Sequence, residues 1–268
     1  MGIVGIFIFI VGLCLGSFIN VVIYRLPQKQ SIVYPGSCCP KCKVKISWFD
    51  NLPLISWVLL RGNCRNCKAK ISVSYPIIEL TAGFFVWRNI YSNPSIYSDI
   101  SQNLIILLGT FLSCFLITLA ILDIKYFWLP KILTLGGLLI GLTSSFLIDL
   151  FDDIDKFDYS INSLFGALLG FLFFYLLSIL GQKIYKKPVL GNGDAKLSAL
   201  IGSWLGIKGL FISIWLSFFT AGIFVFLALI LKKIKRNQKI PFGLFLSISC
   251  LFVWNFGNDI FLKIIFRN

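Results

Sequence analysis

The sequence predicts an all-α polytopic membrane protein with about eight transmembrane helices and one small cytoplasmic zinc-ribbon-like loop domain. Three observations carry that reading. Of 268 residues, 57% are hydrophobic and 13% charged, about half the charged share of a soluble domain. The apolar residues gather in runs of about 20, the length that crosses a hydrocarbon core of about 30 Å. Lys and Arg collect in alternate loops, as they do where loops are retained in the cytoplasm.

In chain order, the runs predict spans over 3–24, 103–122, 129–148, 161–180, 209–231 and 242–262, with weaker and shorter segments over 76–91 and 195–207. The first run is too long, and too poor in basic flanking residues, for a cleaved signal peptide. Segment 25–75 carries nine Lys and Arg, and with the loops near 125–131, 183–196 and 232–240 it accounts for 20 of the 25. That face is therefore expected to be cytoplasmic, with both termini outside. The opposite loops fit: 92–102 has no Lys or Arg, and 149–158 holds Asp149, Asp152, Asp153, Asp155 and Asp158 beside Lys156.

Three parts follow from this division: a first transmembrane helix (1–24), a cytoplasmic cysteine loop (25–75) and a membrane core (76–268). No internal repeat stands out. The 27 Phe residues suit lipid-facing positions. A net charge of +14 spread between apolar runs is a topology signal and unlike a continuous polar nucleic-acid arm, so membrane lipid is the expected partner and nucleic acid is not.

The absence of His removes every Ser/His, Cys/His and His-metal mechanism. Two constellations remain. Cys39-Pro-Lys-Cys42 and Cys64-Arg-Asn-Cys67 are two C-x2-C pairs separated by 21 residues, a spacing close to that of a four-thiolate Zn²⁺ ribbon. A loop of this size builds little core, so a structural metal would supply its folding free energy. Disulfides are the competing reading, disfavoured by the reducing cytoplasm. Cys38 could replace Cys39 as a ligand, whereas Cys14, Cys114 and Cys250 lie in apolar runs as small core residues.

The second constellation is a pair of acids. Asp123 closes an apolar run and precedes Leu129-Pro130. An acid at the membrane edge is costly, and a helix C-terminus does not favour it. Its bland alternative is a boundary acid paired with Lys125. Asp194 stands in Gly191-Asn-Gly-Asp-Ala-Lys196, where a helix-capping role is the alternative. This is no Walker loop. The expected topology puts both acids on one face at equal depth, as an aspartyl pair sharing one proton requires.

These residues resemble the bacterial prepilin peptidases, or type 4 leader peptidases, polytopic aspartyl proteases with a G-x-G-D motif. The likeness runs through Gly16-Ser-Phe-Ile-Asn20 to Arg25-Leu-Pro27, both cysteine pairs with Asn51-Leu-Pro53 and Ser56-Trp57 between them, and Leu60-Arg61-Gly62. It continues with Tyr75-Pro76, Glu79, Asp123, Leu129-Pro130, Leu133-Thr-Leu135, Gly191-Asn-Gly-Asp194-Ala-Lys-Leu197 and Ile240-Pro-Phe-Gly243. The resemblance implies Asp123 and Asp194 as catalytic residues, prepilins or pseudopilins with a short basic leader as substrates, and the inner membrane as the site of type IV pilus or type II secretion processing. It also implies a second step, S-adenosylmethionine-dependent N-methylation of the new amino terminus, associated with the cysteine loop. The residues that would bind the methyl donor are not indicated.

Three departures from the family pattern stand out: Ser74 in place of a basic residue, Lys131 in place of Asp or Asn, and Leu244 in place of Pro. None is expected to touch the aspartates. The readings from other classes are a proton-coupled transporter and a tethered binding module, and a peptidase without methylation stands beside the bifunctional enzyme.

Overall fold

The computed structural model describes residues 2–91, 100–151, 157–186, 191–234 and 238–257. The expected outer loops around 92–99 and 152–156, together with Lys187, Lys235, Arg236 and the end of the last predicted span, lie outside the described residues. The structure is helical, as expected. Among the described residues the only β-pairing is two isolated bridges, Cys38 with Lys45 and Asn63 with Lys70. The chain divides into two compact units, residues 1–94 and 95–268.

The first unit contains α1 (Gly2–Arg25), the short α2 (Ile55–Leu59) and α3 (Ser74–Tyr91). Without water to exclude, apolar helices associate where small residues let their backbones approach. Gly12 and Gly16, four residues apart on α1, supply that groove. A Cβ on Gly12 would stand 2.7 Å from the Gly83 Cα, and one on Gly16 would stand 2.6 Å from the Glu79 Cα. Polar contacts then pin the ends. Asn20 donates to the Tyr75 carbonyl at 3.2 Å, and the carboxylate of Glu79 accepts the Leu54 N–H at 2.9 Å. The buried Arg25 guanidinium donates to the Ser31 and Gly36 carbonyls at 3.0 and 3.1 Å, which fastens the start of the cysteine loop to α1.

The second unit contains α4 (Ile100–Tyr126), α5 (Lys131–Phe151), α6 (Asp158–Tyr185), α7 (Asn192–Ile230) and α8 (Phe242–Phe256). Residues of α7 form much of its core, with Leu197, Leu200 and Ile201 fully buried beside Leu116, Leu119 and Leu122 of α4 and Leu246 of α8. On α6, Gly166 lies directly on the Gly202 backbone, and a Cβ on Gly170 would stand 2.6 Å from the Ser198 carbonyl oxygen. On α5, Gly137 seats the Leu200 side chain, and its carbonyl accepts the Trp204 indole N–H at 2.8 Å.

The two predicted segments 195–207 and 209–231 belong to α7, which is broken at Gly206 (φ 64°). That backbone conformation is open to glycine and costly for other residues. Asn162 of α6 occupies the break, its side-chain oxygen accepting the Ile207 N–H at 3.0 Å. Before the break, the pairings 170 with 198, 166 with 202 and 162 with 206 run in opposite chain directions. After it, Phe218 stacks on Phe174, so the chain now travels alongside α6 in the same direction. Gly206 is thus where α7 turns back on itself.

Among the described residues, five helices are long and apolar enough to cross a membrane: α1, α4, α5, α6 and α7. The eight expected spans exceed that number for three reasons. The two predicted segments in α7 count there as one helix although the chain reverses between them at Gly206, α8 has 15 residues, and α3 is diluted by Glu79, Arg88 and Asn89. Between α5 and α6, Asp149 accepts the Ser160 N–H at 2.8 Å, so this acid of the expected outer loop ties two helices together.

The glycine contacts lead to a paired prediction. Gly202→Val forces a branched side chain into the Gly166 backbone and should cost about 3 kcal/mol, at the upper end of overpacking effects. Gly222, with nothing within 4 Å of its would-be Cβ, should accept Ala with no loss and a gain of up to about 1 kcal/mol. Thermal unfolding of the two purified variants in detergent checks both signs.

Candidate functional site

Asp123 lies in the last turn of α4, one turn farther into the helix than the sequence boundary at 122 implies, because α4 continues to Tyr126. Its side chain is buried. Its Oδ2 accepts the Leu244 N–H at 3.1 Å, and the Gly243 N–H also donates to the carboxylate. These amides belong to the first turn of α8, where backbone donors lack helical partners and point at any acceptor placed there. Lys125 is exposed and forms no ion pair with Asp123 among the described residues, so the paired boundary acid is not what forms.

Asp194 is the third residue of α7 and is also buried. It does cap: its Oδ2 accepts the Gly191 N–H at 3.2 Å, and its own N–H donates to the Gly191 carbonyl at 3.1 Å. That contact fixes the carboxylate and leaves it close enough to Asp123 for the Asp123 charge to act on it. The two acids, 71 positions apart in sequence, share one site.

Leu129 closes the arrangement. A Cβ on Gly193 would stand 3.1 Å from the Leu129 side chain, and one on Gly243 would stand 3.1 Å from it and 2.9 Å from Asp123 Oδ2. Glycine is therefore needed at 193 and 243 for close approach, so that the start of α7, the start of α8 and the α4–α5 connection can meet.

One expectation is corrected here. Leu244, a departure from the family pattern, does touch an aspartate, because its backbone N–H is a donor that a proline would lack. Among the residues quoted for the resemblance, Gly243 also proves to be a contact of Asp123. The sequence signal was the Pro-Phe-Gly run at the start of an apolar segment, which marks a helix N-terminus.

The four predicted cysteines converge in the first unit. The Sγ atoms of Cys39, Cys42, Cys64 and Cys67 lie within 4.8 Å of one another, with Cys39 and Cys67 at 3.8 Å. A tetrahedral ion with Zn–S bonds of about 2.3 Å needs S···S edges of about 3.8 Å, so the donor set fits a thiophilic ion. Cys38 is exposed and outside the cluster, and all eight cysteines are free thiols. Of the three expected core cysteines, Cys250 is buried, Cys114 is half-buried and Cys14 is exposed.

The two knuckles are copies of one another, a repeat that sequence reading passed over: Cys39-Pro-Lys-Cys-Lys-Val-Lys-Ile-Ser47 and Cys64-Arg-Asn-Cys-Lys-Ala-Lys-Ile-Ser72. Their hydrogen bonds match. Cys39 N–H donates to the Val44 carbonyl and Lys43 N–H to that of Cys39. Likewise Cys64 donates to Ala69 and Lys68 to Cys64. Lys43 and Lys68 share the left-handed conformation. Backbone donors around the sulfurs pull Cys42 down to about 6, chiefly through the Val44 N–H, and lower Cys64 through the amides of Cys67 and Asn66. Cys67 also takes an N–H, from Ala69, but burial and the neighbouring thiols outweigh it and push the group up to about 11. Four sulfurs this close cannot all ionise unless a cation joins them.

A shallow cleft of about 590 Å³ lies beside the first knuckle, lined by residues that include Lys45, Trp48 and Phe49. It offers no carboxylate for ribose hydroxyls, so the lining of this cleft does not by itself mark a nucleoside site.

Comparison with known proteins agrees with this geometry. The Bacterial Peptidase A24 N-terminal domain matches residues 10–92, and the Type IV leader peptidase family matches residues 110–226. A prepilin leader peptidase/N-methyltransferase of Myxococcus xanthus is 37% identical over 76% of this chain, which spans 57% of that relative's length. Proteins of the same name from Neisseria gonorrhoeae and Aeromonas salmonicida are 32% and 30% identical over 90% and 94% of the chain, covering 86% and 91% of their own lengths. No solved structure matches. With both halves of the chain matched and the relatives aligned across nearly its whole length, the chain belongs to the type IV leader peptidase family.

Proposed function

We propose that this protein is a membrane aspartyl endopeptidase that removes the short basic leader of prepilins or pseudopilins at the cytoplasmic face of the inner membrane. The observation that carries the reading is the convergence of Asp123 and Asp194 from the ends of two helices onto one buried site. Two adjoining carboxylates can share one proton. The ionised member takes a proton from water as its oxygen attacks the scissile carbonyl. The protonated member hydrogen-bonds the carbonyl oxygen, and the proton then passes to the leaving amine. The Gly243 and Leu244 amides hold Asp123 in place, and the Gly191 amide holds Asp194. The bias of Lys and Arg toward the loops beside both acids supports a cytoplasmic site with both termini outside.

N-methylation of the exposed amino terminus, with S-adenosylmethionine as donor, is the proposed second activity. It rests on the relatives' names and on the match to their N-terminal domain. Cys39, Cys42, Cys64 and Cys67 would hold a structural Zn²⁺, which closes the loop between the knuckles and offers no open position for water. Parts 1–24 and 25–75 then serve methylation, and the peptidase lies within 76–268.

Asp123→Asn and Asp194→Asn should each abolish cleavage of a prepilin in detergent while abundance in the membrane stays near normal. Normal cleavage by either purified variant would overturn the pair. Because one shared proton runs the site, wild-type cleavage should fall on both sides of a pH optimum.

The donors to Asp123 can be tested separately. Gly243→Ala sets a methyl group against its Oδ2 and should lower kcat by about 100-fold, as displaced catalytic groups do. Leu244→Pro removes one charged hydrogen bond, of about 1.5–3 kcal/mol, at a helix position that tolerates proline. Because the family pattern has proline here and the Gly243 amide still holds Asp123, it should lower kcat less than Gly243→Ala does while the protein stays folded, as measured by its melting temperature.

Cys42→Ser and Cys67→Ser should remove the metal, found by elemental analysis of the purified protein, and with it the fold of the loop. They should cost methyl transfer onto a pre-cleaved pilin more than leader removal. Every thiolate ligand must lose its proton to bind, so the metal should be retained at neutral pH and released on acidification.

A further inference from the structure

The cysteine loop has its polarity inverted around α2. In this five-residue helix Ser56 is buried, its hydroxyl donating to the Leu52 and Phe49 carbonyls at 2.7 and 3.1 Å. Ile55, Val58 and Leu59, at the spacing of one helix face, are 56%, 65% and 76% exposed. A loop bathed only by water gains nothing from turning these residues outward.

Directly after that face, a shallow cleft is lined by Leu59, Leu60, Arg61, Asn63, Cys64, Arg65 and Lys68. It brings two leucines beside three cationic side chains. Between residues 26 and 73 the chain carries eight Lys and Arg against the single acid Asp50, which is already bridged to Arg65 at 2.7 Å. The loop is also anchored at its start, since it leaves α1, a helix long and apolar enough to cross a membrane, and Arg25 fastens it there.

We propose that α2 and this cleft form a docking site for an anionic phospholipid of the membrane surface. Ile55, Val58 and Leu59 enter the boundary between headgroups and acyl chains, and Arg61 and Lys68 face the phosphate. Charge excludes the basic leader of a prepilin as the occupant, because it would meet like charge. An amphipathic element with cations at its polar edge is built for such an interface. The cations stand around the second knuckle, whose Cys64 also lines the cleft, so a bound metal and a bound lipid would brace the same loop. The inference holds whichever reaction the aspartates perform.

The test uses the full-length, metal-loaded protein in nanodiscs of phosphatidylcholine alone or mixed with phosphatidylglycerol. Amide hydrogen exchange over residues 55–68 should slow about tenfold when the anionic lipid is present, as local opening is suppressed. Val58→Ser with Leu59→Ser, and separately Arg61→Gln with Lys68→Gln, should each abolish the slowing while metal content, which reports the loop fold, stays at one ion per chain. Equal exchange in the two discs would overturn the proposal, as would slowing that survives in both double variants. A soluble glycerophosphate that reproduces the slowing in phosphatidylcholine discs would also overturn it, by assigning the cleft to a free anion. Slowing that appears only on adding a pilin would overturn it in favour of a protein partner.

Discussion

The peptidase half depends on one backbone-to-backbone contact, Gly166 on α6 against Gly202 on α7. In an apolar bundle the hydrophobic effect gives little direction to helix association, and register must come from shape. Gly166 and Gly170 accept the backbone of α7 around Gly202 and Ser198. Once those turns are seated, the position of Asp194 two turns from Gly202 is fixed. Gly137 sets α5 against Leu200 in the same way, which places the α4–α5 connection, with Leu129, at the level of the acids. Close contact of small residues thus performs the alignment that a paired sheet or a large core performs in soluble proteases.

A second constraint acts on the acids themselves. Buried carboxylates need donors, and both find them at helix starts, Asp123 on α8 and Asp194 on its own α7. The cysteine loop meets a related demand differently. It has little apolar core, and it arranges backbone amides around sulfur twice over, from two near-identical nine-residue segments. The fold of each knuckle is local, but the match between them makes a four-sulfur donor set from two equivalent halves.

Much of the site was legible because the chemistry is scarce. With no His and one Glu, Asp123 and Asp194 stood out against apolar surroundings, and C-x2-C spacing is informative at any composition. What escaped reading depends on three-dimensional direction. The break at Gly206 looks like any glycine in an apolar run, and only its pairing with Asn162 reveals a reversal. The donor at Leu244 is a backbone group, so the side chain that differs from the family pattern concealed the N–H that matters. The knuckle repeat was readable, yet at nine residues it falls below the period at which repeats build folds. Hydropathy marked 195–207 and 209–231 as separate apolar segments but carried no sign of the reversal between them at Gly206.

The turn at Gly206 also sets how deep the acids lie. Continuing the α6–α7 pairing puts Asp194 level with Phe174, where the Phe242 ring packs. From that level α6 runs on for eleven residues to Tyr185, about 16 Å at 1.5 Å per residue. The returning limb of α7 extends a similar distance, from Phe218 to Ile230. Both limbs therefore extend past the level of the carboxylates on the same side, so the acids lie part-way along the α6–α7 pair and below the ends of these two helices.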